Sequence, residues 1–216
     1  MEELVSFDTA GGARLEGSLG PVEAARGGLV LCHPHPLYGG DMDNPVVVRA
    51  AEVARESGLT TLRFNFRGVG GSGGSHDRGE GEQDDVLAAL ATLRAKAPGA
   101  ALGLAGYSFG AWVSSRVAAR DDALAALCLI APPLAMFDWR AIPADGRAVL
   151  LVAGTRDPYC PIPDLDRLAE QLPRARVDHI EGADHFFFGK LFPLGESIRR
   201  WALSWANPAG SPEARG

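Results

Sequence analysis

The sequence predicts a single α/β domain in which helices cover a mostly parallel sheet of about eight strands. Short apolar runs rich in β-branched and aromatic residues alternate with longer segments of helical periodicity, which is the pattern of parallel strands joined by crossover helices. The chain has 216 residues, of which 46% are hydrophobic and 22% are charged, so it can bury a full core. Its 27 glycines indicate many positions where the backbone needs unusual freedom or close approach.

The strands follow from apolar runs that are bounded by turn residues. Two runs on either side of Gly11-Gly12 predict an opening hairpin, and the remaining runs are continuous enough to be buried strands of a parallel sheet. The predicted strands are Leu4–Asp8, Arg14–Leu19, Gly28–Cys32, Leu59–Asn65, Ala101–Ala105, Ala125–Ile130, Ala148–Ala153 and Arg176–Ile180.

The helices follow from apolar residues spaced at three and four positions between these runs. We expect one domain over residues 1–206 and a disordered tail over residues 207–216, because the last ten residues are rich in Pro, Gly and Ala. The predicted helices are Pro45–Glu56, Glu82–Ala97, Phe109–Arg120, Asp164–Leu172 and Leu191–Trp205.

Charge and composition exclude several classes of function. The 21 basic residues against 27 acidic ones give a net charge of −6, which would repel a phosphate backbone and disfavours nucleic acid as a partner. The acidic start Met1–Leu4 lacks the pattern of a signal peptide, and no apolar stretch reaches the length of a membrane span. The odd number of cysteines, Cys32, Cys128 and Cys160, suits buried thiols in a reducing compartment. We therefore expect a cytoplasmic protein.

The segment Gly106-Tyr107-Ser108-Phe109-Gly110 holds the candidate nucleophile. It follows a predicted strand directly and begins a predicted helix. A serine on such a turn is exposed for attack, its small neighbours relieve crowding, and the helix N-terminus offers N–H groups to a developing oxyanion. The pentapeptide also occurs as an ordinary glycine-rich turn, but the strand and helix around it favour Ser108 as a nucleophile.

A serine nucleophile needs a base and a carboxylate that orients the base. Asp157 follows the strand that ends at Ala153, and His185 follows the strand that ends near Ile180. We therefore expect Ser108, Asp157 and His185 to form a catalytic triad. Other carboxylates that follow strand ends or begin helices remain alternatives to Asp157, namely Asp138, Asp164 and Asp184.

The loop after Cys32 is expected to supply the second donor of an oxyanion hole, beside the N–H of Phe109. Pro34 and Pro36 have no N–H and stiffen this loop, which leaves His35 and Leu37 as the candidate donors. The sequence does not choose between them.

Two other interpretations compete for these loops. His33 and His35 with Asp41 and Asp43 are residue types that bind zinc or iron, but we expect no metal, because a hydrogen bond from His33 to the loop backbone explains it more simply. The glycines of Gly68–Gly73 match a dinucleotide fingerprint, yet no helix begins at once and no acidic residue ends a strand at the required spacing. We expect no cofactor, with Asn65 and Arg67 as hydrogen-bond partners inside this loop.

Taken together, five motifs in this order resemble the α/β-hydrolase superfamily, and the order serine, aspartate, histidine is the one expected of it. The chain looks most like the small bacterial branch of lidless carboxylesterases. It is also similar in size to dienelactone hydrolases, which use a cysteine where this chain has Ser108. The resemblance implies ester hydrolysis. The motifs are Cys32-His-Pro-His-Pro-Leu-Tyr-Gly-Gly40, Phe64-Asn-Phe-Arg-Gly-Val-Gly-Gly-Ser72, Gly106-Tyr-Ser-Phe-Gly110, Gly154-Thr-Arg-Asp157 and Gly182-Ala-Asp-His-Phe186.

The short connection Ala131–Arg147 leaves no room for a lid domain after the strand that ends at Ile130. We expect apolar residues to line an open acyl site instead. The residues predicted to line it are Tyr38, Tyr107, Met136, Phe137 and Phe187.

The sequence thus predicts a serine hydrolase that cleaves small-molecule carboxylic esters of short to medium acyl chain through an acyl-enzyme intermediate. Hydrolysis of a thioester or an amide by the same triad is the near alternative, and a catalytically silent binding module with this fold is a more distant one. Oligomeric state, as monomer or homodimer, does not follow from the sequence.

Overall fold

A computed structural model describes residues 1–139 and 142–206 of the chain, so the predicted tail over residues 207–216 lies outside the described residues. The described residues form eight strands, five α-helices and one 3₁₀ helix. The strands are β1 (Glu3–Asp8), β2 (Arg14–Gly20), β3 (Gly27–Cys32), β4 (Leu59–Phe64), β5 (Leu102–Tyr107), β6 (Leu124–Ile130), β7 (Ala148–Gly154) and β8 (Ala175–Ile180). The helices are α1 (Pro45–Glu56), α2 (Gly81–Lys96), α3 (Phe109–Ala118), α4 (Ile162–Ala169) and α5 (Leu191–Trp205), with the 3₁₀ helix at Pro36–Tyr38.

All eight strands belong to one sheet in the order β1-β2-β4-β3-β5-β6-β7-β8. The strands β3 to β8 are parallel where they pair, and β2 is antiparallel to both β1 and β4. The predicted fold class is therefore confirmed. The strand order reverses beside β3, because the chain passes from β3 outward to β4 and then returns to the other side of β3 as β5. Ligands of open α/β sheets bind where such a reversal separates two neighbouring loops.

Two apolar layers hold the sheet between the helices. Helices α1 and α5 cover one face, and α2, α3 and α4 cover the other. Side chains of a strand alternate between the layers, so Leu104 of β5 packs on the α3 side and Ala105 on the α1 side. The three cysteines are buried and free. None of the described helices combines the length and the apolar character that a membrane span requires.

Element boundaries differ from prediction at two places that matter for the site. Strand β5 continues beyond the predicted Ala105, because Gly106 and Tyr107 pair with Leu129 and Ile130 of β6. The ladder thus runs up to Ser108 without a flexible connection. The loop after β3 contains the 3₁₀ helix, which the sequence pattern did not predict, and His35 stands at its N-terminal end.

Candidate active site

Ser108 lies at the junction of β5 and α3 in a strained backbone conformation, with φ of +55° and ψ of −118°. A non-glycine residue in this region costs on the order of 1 kcal/mol or more and persists only where its surroundings impose it. The N–H of Ser108 donates to the carbonyl oxygen of Ile130 at 2.9 Å. The turn is therefore pinned to the end of β6.

The two glycines of the pentapeptide are explained by close backbone approach. A Cβ atom at Gly106 would lie 2.2 Å from the carbonyl oxygen of Gly110, and one at Gly110 would lie 2.4 Å from the carbonyl oxygen of Cys32. Glycine at both positions thus lets β5, α3 and the end of β3 meet. This meeting brings the serine beside the loop that follows β3.

The structure brings the three predicted triad residues together. The hydroxyl of Ser108 donates to Nε2 of His185 at 2.9 Å, and Nδ1–H of His185 donates to Oδ2 of Asp157 at 2.7 Å. The other oxygen of Asp157 accepts the backbone N–H groups of Tyr159 and Cys160 at 2.8 and 3.1 Å. These bonds hold the carboxylate so that one oxygen faces the imidazole, and both Asp157 and His185 are buried.

The alternative carboxylates have other partners. Asp184 accepts the backbone N–H of Phe186 at 3.0 Å, as a turn residue does. Asp164 contacts Arg167 on helix α4. For Asp138 the recorded bond within the described residues is to the backbone rather than to the carboxylate, since its main-chain carbonyl oxygen accepts the indole N–H of Trp112 at 3.1 Å. Only Asp157 among these four is recorded in a hydrogen bond with His185 within the described residues.

Tyr107 and a buried phenylalanine support the loop that carries His185. The hydroxyl of Tyr107 donates to the carbonyl oxygen of His185 at 2.9 Å, and burial raises the pKa of this phenol. The prediction that Phe187 lines the acyl site is wrong, because its side chain is fully buried in the core, with the backbone at φ of +54°. Phe186, whose side chain is exposed, lines the cleft in its place.

The geometry separates the two candidate loop donors. The N–H of Leu37 donates to Nδ1 of His35 at 3.2 Å and is thus engaged inside the loop. Within the described residues no acceptor is recorded for the N–H of His35 or for that of Phe109. The rings of His35 and Phe109 are in contact, with centroids 4.8 Å apart.

His33 joins the loops that follow β3 and β4. The N–H of Phe66 donates to Nε2 of His33 at 3.0 Å, and Nδ1–H of His33 donates to the carbonyl oxygen of Pro34 at 2.6 Å. Burial lowers the pKa of His33 to about 4, so the imidazole is neutral at pH 7. The predicted bond from His33 to the loop backbone is confirmed.

The side chains of Asn65 and Arg67, which we expected to bond inside the glycine-rich loop after β4, bond to other segments of the chain instead. Asn65 accepts the N–H of Met42 at 2.8 Å and donates to Glu16 at 2.7 Å. Arg67 forms an ion pair with the buried carboxylate of Asp85, its Nη2 lying 2.8 Å from Oδ1. Since α2 begins only at Gly81, Gly68–Gly73 does not open a helix as a dinucleotide-binding loop would.

An open cleft of about 540 Å³ extends from Ser108. Four of the five predicted lining residues border it, namely Tyr38, Tyr107, Met136 and Phe137. Leu37 does not border it and is largely exposed. Sequence reasoning missed five non-glycine residues of the lining, of which Tyr159 and Phe186 could have been found from their positions close to Asp157 and His185. The lining residues are Pro34, His35, Tyr38, Gly39, Gly40, Asn44, Tyr107, Ser108, Phe109, Pro133, Met136, Phe137, Tyr159, His185 and Phe186.

A doubly covered parallel sheet whose loops assemble a serine, a histidine and an aspartate at its strand-order reversal places the protein in the class of α/β hydrolases. Comparison with protein families gives the same result, since the alpha/beta hydrolase domain matches residues 26–192. The chain belongs to this family.

Relatives from several bacteria share both sequence and fold with this chain. A lidless α/β serine hydrolase from Xanthomonas campestris is 34% identical, with a TM-score of 0.87 over 97% of each chain. An α/β serine hydrolase homologue from Coxiella burnetii is 33% identical, with a TM-score of 0.83 over 93% of this chain and 96% of the other. An uncharacterized protein of Rickettsia prowazekii is 34% identical over 88% of this chain and 85% of its own length.

Proposed function

We propose that the protein is a serine hydrolase that cleaves carboxylic esters of short to medium acyl chain through an acyl-enzyme intermediate. The observation that carries this proposal is the continuous hydrogen bonding from Asp157 through His185 to Ser108 at the wall of an apolar cleft. The similarity to proteins described as serine hydrolases supports a hydrolase with an active serine over a silent binding module.

In the proposed mechanism, Ser108 Oγ attacks the ester carbonyl while its proton passes to Nε2 of His185. The imidazolium then protonates the leaving alcohol, and water attacks the acyl-enzyme with the same histidine as base. Asp157 keeps Nδ1 protonated, so that Nε2 is the basic nitrogen. The three polar side chains act as a unit, as triads do.

The oxyanion of the tetrahedral intermediate is assigned to the N–H groups of Phe109 and His35. We favour His35 over Leu37 because the N–H of Leu37 already donates to the His35 ring. Phe109 is the first residue of α3, where the helix dipole also favours negative charge. Loss of one such donor typically lowers kcat by roughly 10²-fold to 10³-fold.

Labelling and mutation of the serine test the proposal. The wild type should react with a fluorophosphonate at one residue and hydrolyse p-nitrophenyl butyrate. Ser108→Ala should abolish labelling and lower kcat by roughly 10⁴-fold to 10⁶-fold, while Ser204→Ala, which removes an exposed hydroxyl on α5, should behave as the wild type. Unlabelled wild type, or full esterase activity in Ser108→Ala, would reject the mechanism.

The substrate alternatives are separated by a panel of compounds with the same acyl group. The ester, the acyl-CoA thioester and the anilide of butyric acid present one acyl chain to the cleft and differ in the leaving group. We expect the ester to have the highest kcat/KM. A higher kcat/KM for the thioester or the anilide would reassign the enzyme while keeping Ser108 as nucleophile.

A further inference from the structure

A second histidine–carboxylate pair lies behind His35, among residues that do not line the cleft. Nδ1 of His76 is 2.8 Å from Oε1 of Glu82, whose side chain is completely buried; this is an ion-pair distance, but the two groups do not have hydrogen-bond geometry. Glu82 also accepts the backbone N–H groups of Asp77 and Gly79 at 2.9 and 2.7 Å. The carboxylate is thus held in place by the loop before α2. Glu82 has no role in the mechanism proposed for Ser108.

The imidazole of His76 contacts the two residues to which the oxyanion donors are assigned. Its centroid is 5.0 Å from that of His35 and 5.6 Å from that of Phe109. Since the rings of His35 and Phe109 also touch each other, three rings from three separate chain segments form one cluster. His76 therefore contacts the side chains on both sides of the proposed oxyanion site.

Burial of the ring within this cluster favours a neutral His35. Its Nδ1 accepts the N–H of Leu37 and must therefore remain unprotonated for the loop to keep its shape. Burial, and after it the neighbouring His76, lowers the pKa of His35, against an opposing effect of Glu82. The Arg67–Asp85 ion pair lies on the other side of Glu82 along α2. The surroundings thus preserve the bond that shapes the oxyanion loop.

We propose that His76, which lies beside the buried carboxylate of Glu82, is a positioning residue that fixes the rings of His35 and Phe109 and thereby aligns their backbone N–H groups with the developing oxyanion. This inference rests on the proposed function. A residue that acts only on the oxyanion stabilises the transition state more than the bound substrate. Its removal should therefore lower kcat and leave KM unchanged.

The test compares His76→Ala with a matched control in the hydrolysis of p-nitrophenyl butyrate. We expect His76→Ala to lower kcat about 10-fold, less than the loss of a whole donor, at unchanged KM. The control is His179→Ala, because His179 also pairs with a carboxylate, its Nε2 lying 2.9 Å from Asp166 Oδ1, but it lies on β8 and outside the cleft lining. We expect the control to keep the kcat and KM of the wild type.

A second readout addresses the oxyanion site directly. An alkyl boronic acid forms a tetrahedral adduct with the serine, and its inhibition constant should rise in His76→Ala by about the same factor as kcat falls, as expected for a transition-state analogue. Unchanged kcat, or a raised KM at unchanged kcat, would overturn the proposal. So would a loss of kcat without weaker boronate inhibition, since that result indicates damage elsewhere.

Two further measurements keep the outcomes distinct. If thermal melting shows that His76→Ala is unfolded, His76→Gln takes its place in the test. The glutamine keeps an N–H donor near Glu82 but lacks the aromatic ring, so we expect the same loss of kcat. Fluorophosphonate labelling of the wild type reports on the proposed function by itself. An active, labelled wild type with an unaffected His76 variant rejects only the positioning role, whereas an unlabelled wild type rejects the serine mechanism.

Discussion

The neutral, buried imidazole of His33 shows how one residue connects the stability of this fold to its candidate site. Both ring nitrogens bond to backbone groups, one on each of the two loops that begin after β3 and β4. Protonation would leave Nε2 without its acceptor function and place a charge in the core. The loop that carries His35 therefore depends on a histidine that does not take part in the reaction.

The buried state of His33 predicts a loss of stability in mild acid. The pKa is about 4 in the folded protein and about 6.5 in the unfolded chain. Below pH 6.5 the unfolded state binds a proton that the folded state does not, so stability is complete above pH 6.5 and falls until pH 4. The full contribution is about 3 kcal/mol.

Urea unfolding of the wild type and His33→Gln across pH 7.5 to 4.5 checks this expectation. The variant should be less stable at pH 7 because the backbone bonds are altered, but its stability should fall less steeply below pH 6.5. Parallel curves for the two proteins would contradict the assignment of this pH dependence to His33.

At the scale of elements, the strained backbone of the site is that of Ser108, which lies between β5 and α3. The ladder from β5 to β6 extends through Tyr107, and α3 begins at the residue after Ser108. A regular strand and a regular helix thus force the single residue between them into a positive φ. Both elements are buried on the sheet, and their packing sustains the strained turn.

Replacing Gly110 by alanine should disrupt this unit. The new Cβ would lie within 2.6 Å of the carbonyl oxygens of both Cys32 and His33, and backbone cannot move aside as a flexible side chain does. We expect a destabilisation of about 1–3 kcal/mol, as for other overpacked sites, together with a large loss of kcat because Ser108 and the loop after β3 separate.

Denaturant unfolding and ester hydrolysis measure the two effects. The matched control is Gly11→Ala in the β1–β2 turn, where the nearest recorded contact of a new Cβ is 3.9 Å away, to the hydroxyl oxygen of Thr9. This variant should keep wild-type stability and activity. A fully active Gly110→Ala would show that the close approach is dispensable.

At the scale of the whole molecule, the openness of the cleft follows from the topology. The reversal of strand order separates the loops after β3 and β5, and the loops after β7 and β8 bring Asp157 and His185 to the same edge of the sheet. The described part of Ala131–Arg147 packs beside α3, where Phe137 stacks on Trp112 with centroids 4.6 Å apart. This segment contributes a wall to the cleft and leaves its mouth open.

An open cleft of this size predicts a preference for soluble esters of short to medium chain. In a series of p-nitrophenyl esters from acetate to palmitate, kcat/KM should peak before the long chains, because an open cleft leaves the far part of a long acyl group exposed to water. Rates should show no jump when the substrate passes from monomers to micelles. A steady rise of kcat/KM to palmitate, or such a jump, would contradict this expectation.

Several predictions from the sequence were local in origin and succeeded for that reason. The alternation of apolar runs with helical segments predicted eight strands and five helices in the correct order, and the serine pentapeptide was recognised from its own strand and helix. Phe187 shows the limit. Phe186 and Phe187 are the same residue type at adjacent positions, so the sequence pattern does not distinguish them. Only the path of the loop decides which ring enters the core and which faces the cleft.

What the sequence determined by itself is the α/β class, the family resemblance and the choice of Ser108, Asp157 and His185 as candidates for a triad, because each depends on residue type and its position after a strand. The tertiary structure decided that the N–H of Leu37 is engaged inside its loop, that Phe187 is buried and that His76 and Glu82 lie beside the ring of His35. These features depend on contacts between segments distant in sequence and on the direction of single N–H groups. No periodicity or motif encodes such directions; the packing of loops at the sheet edge sets them.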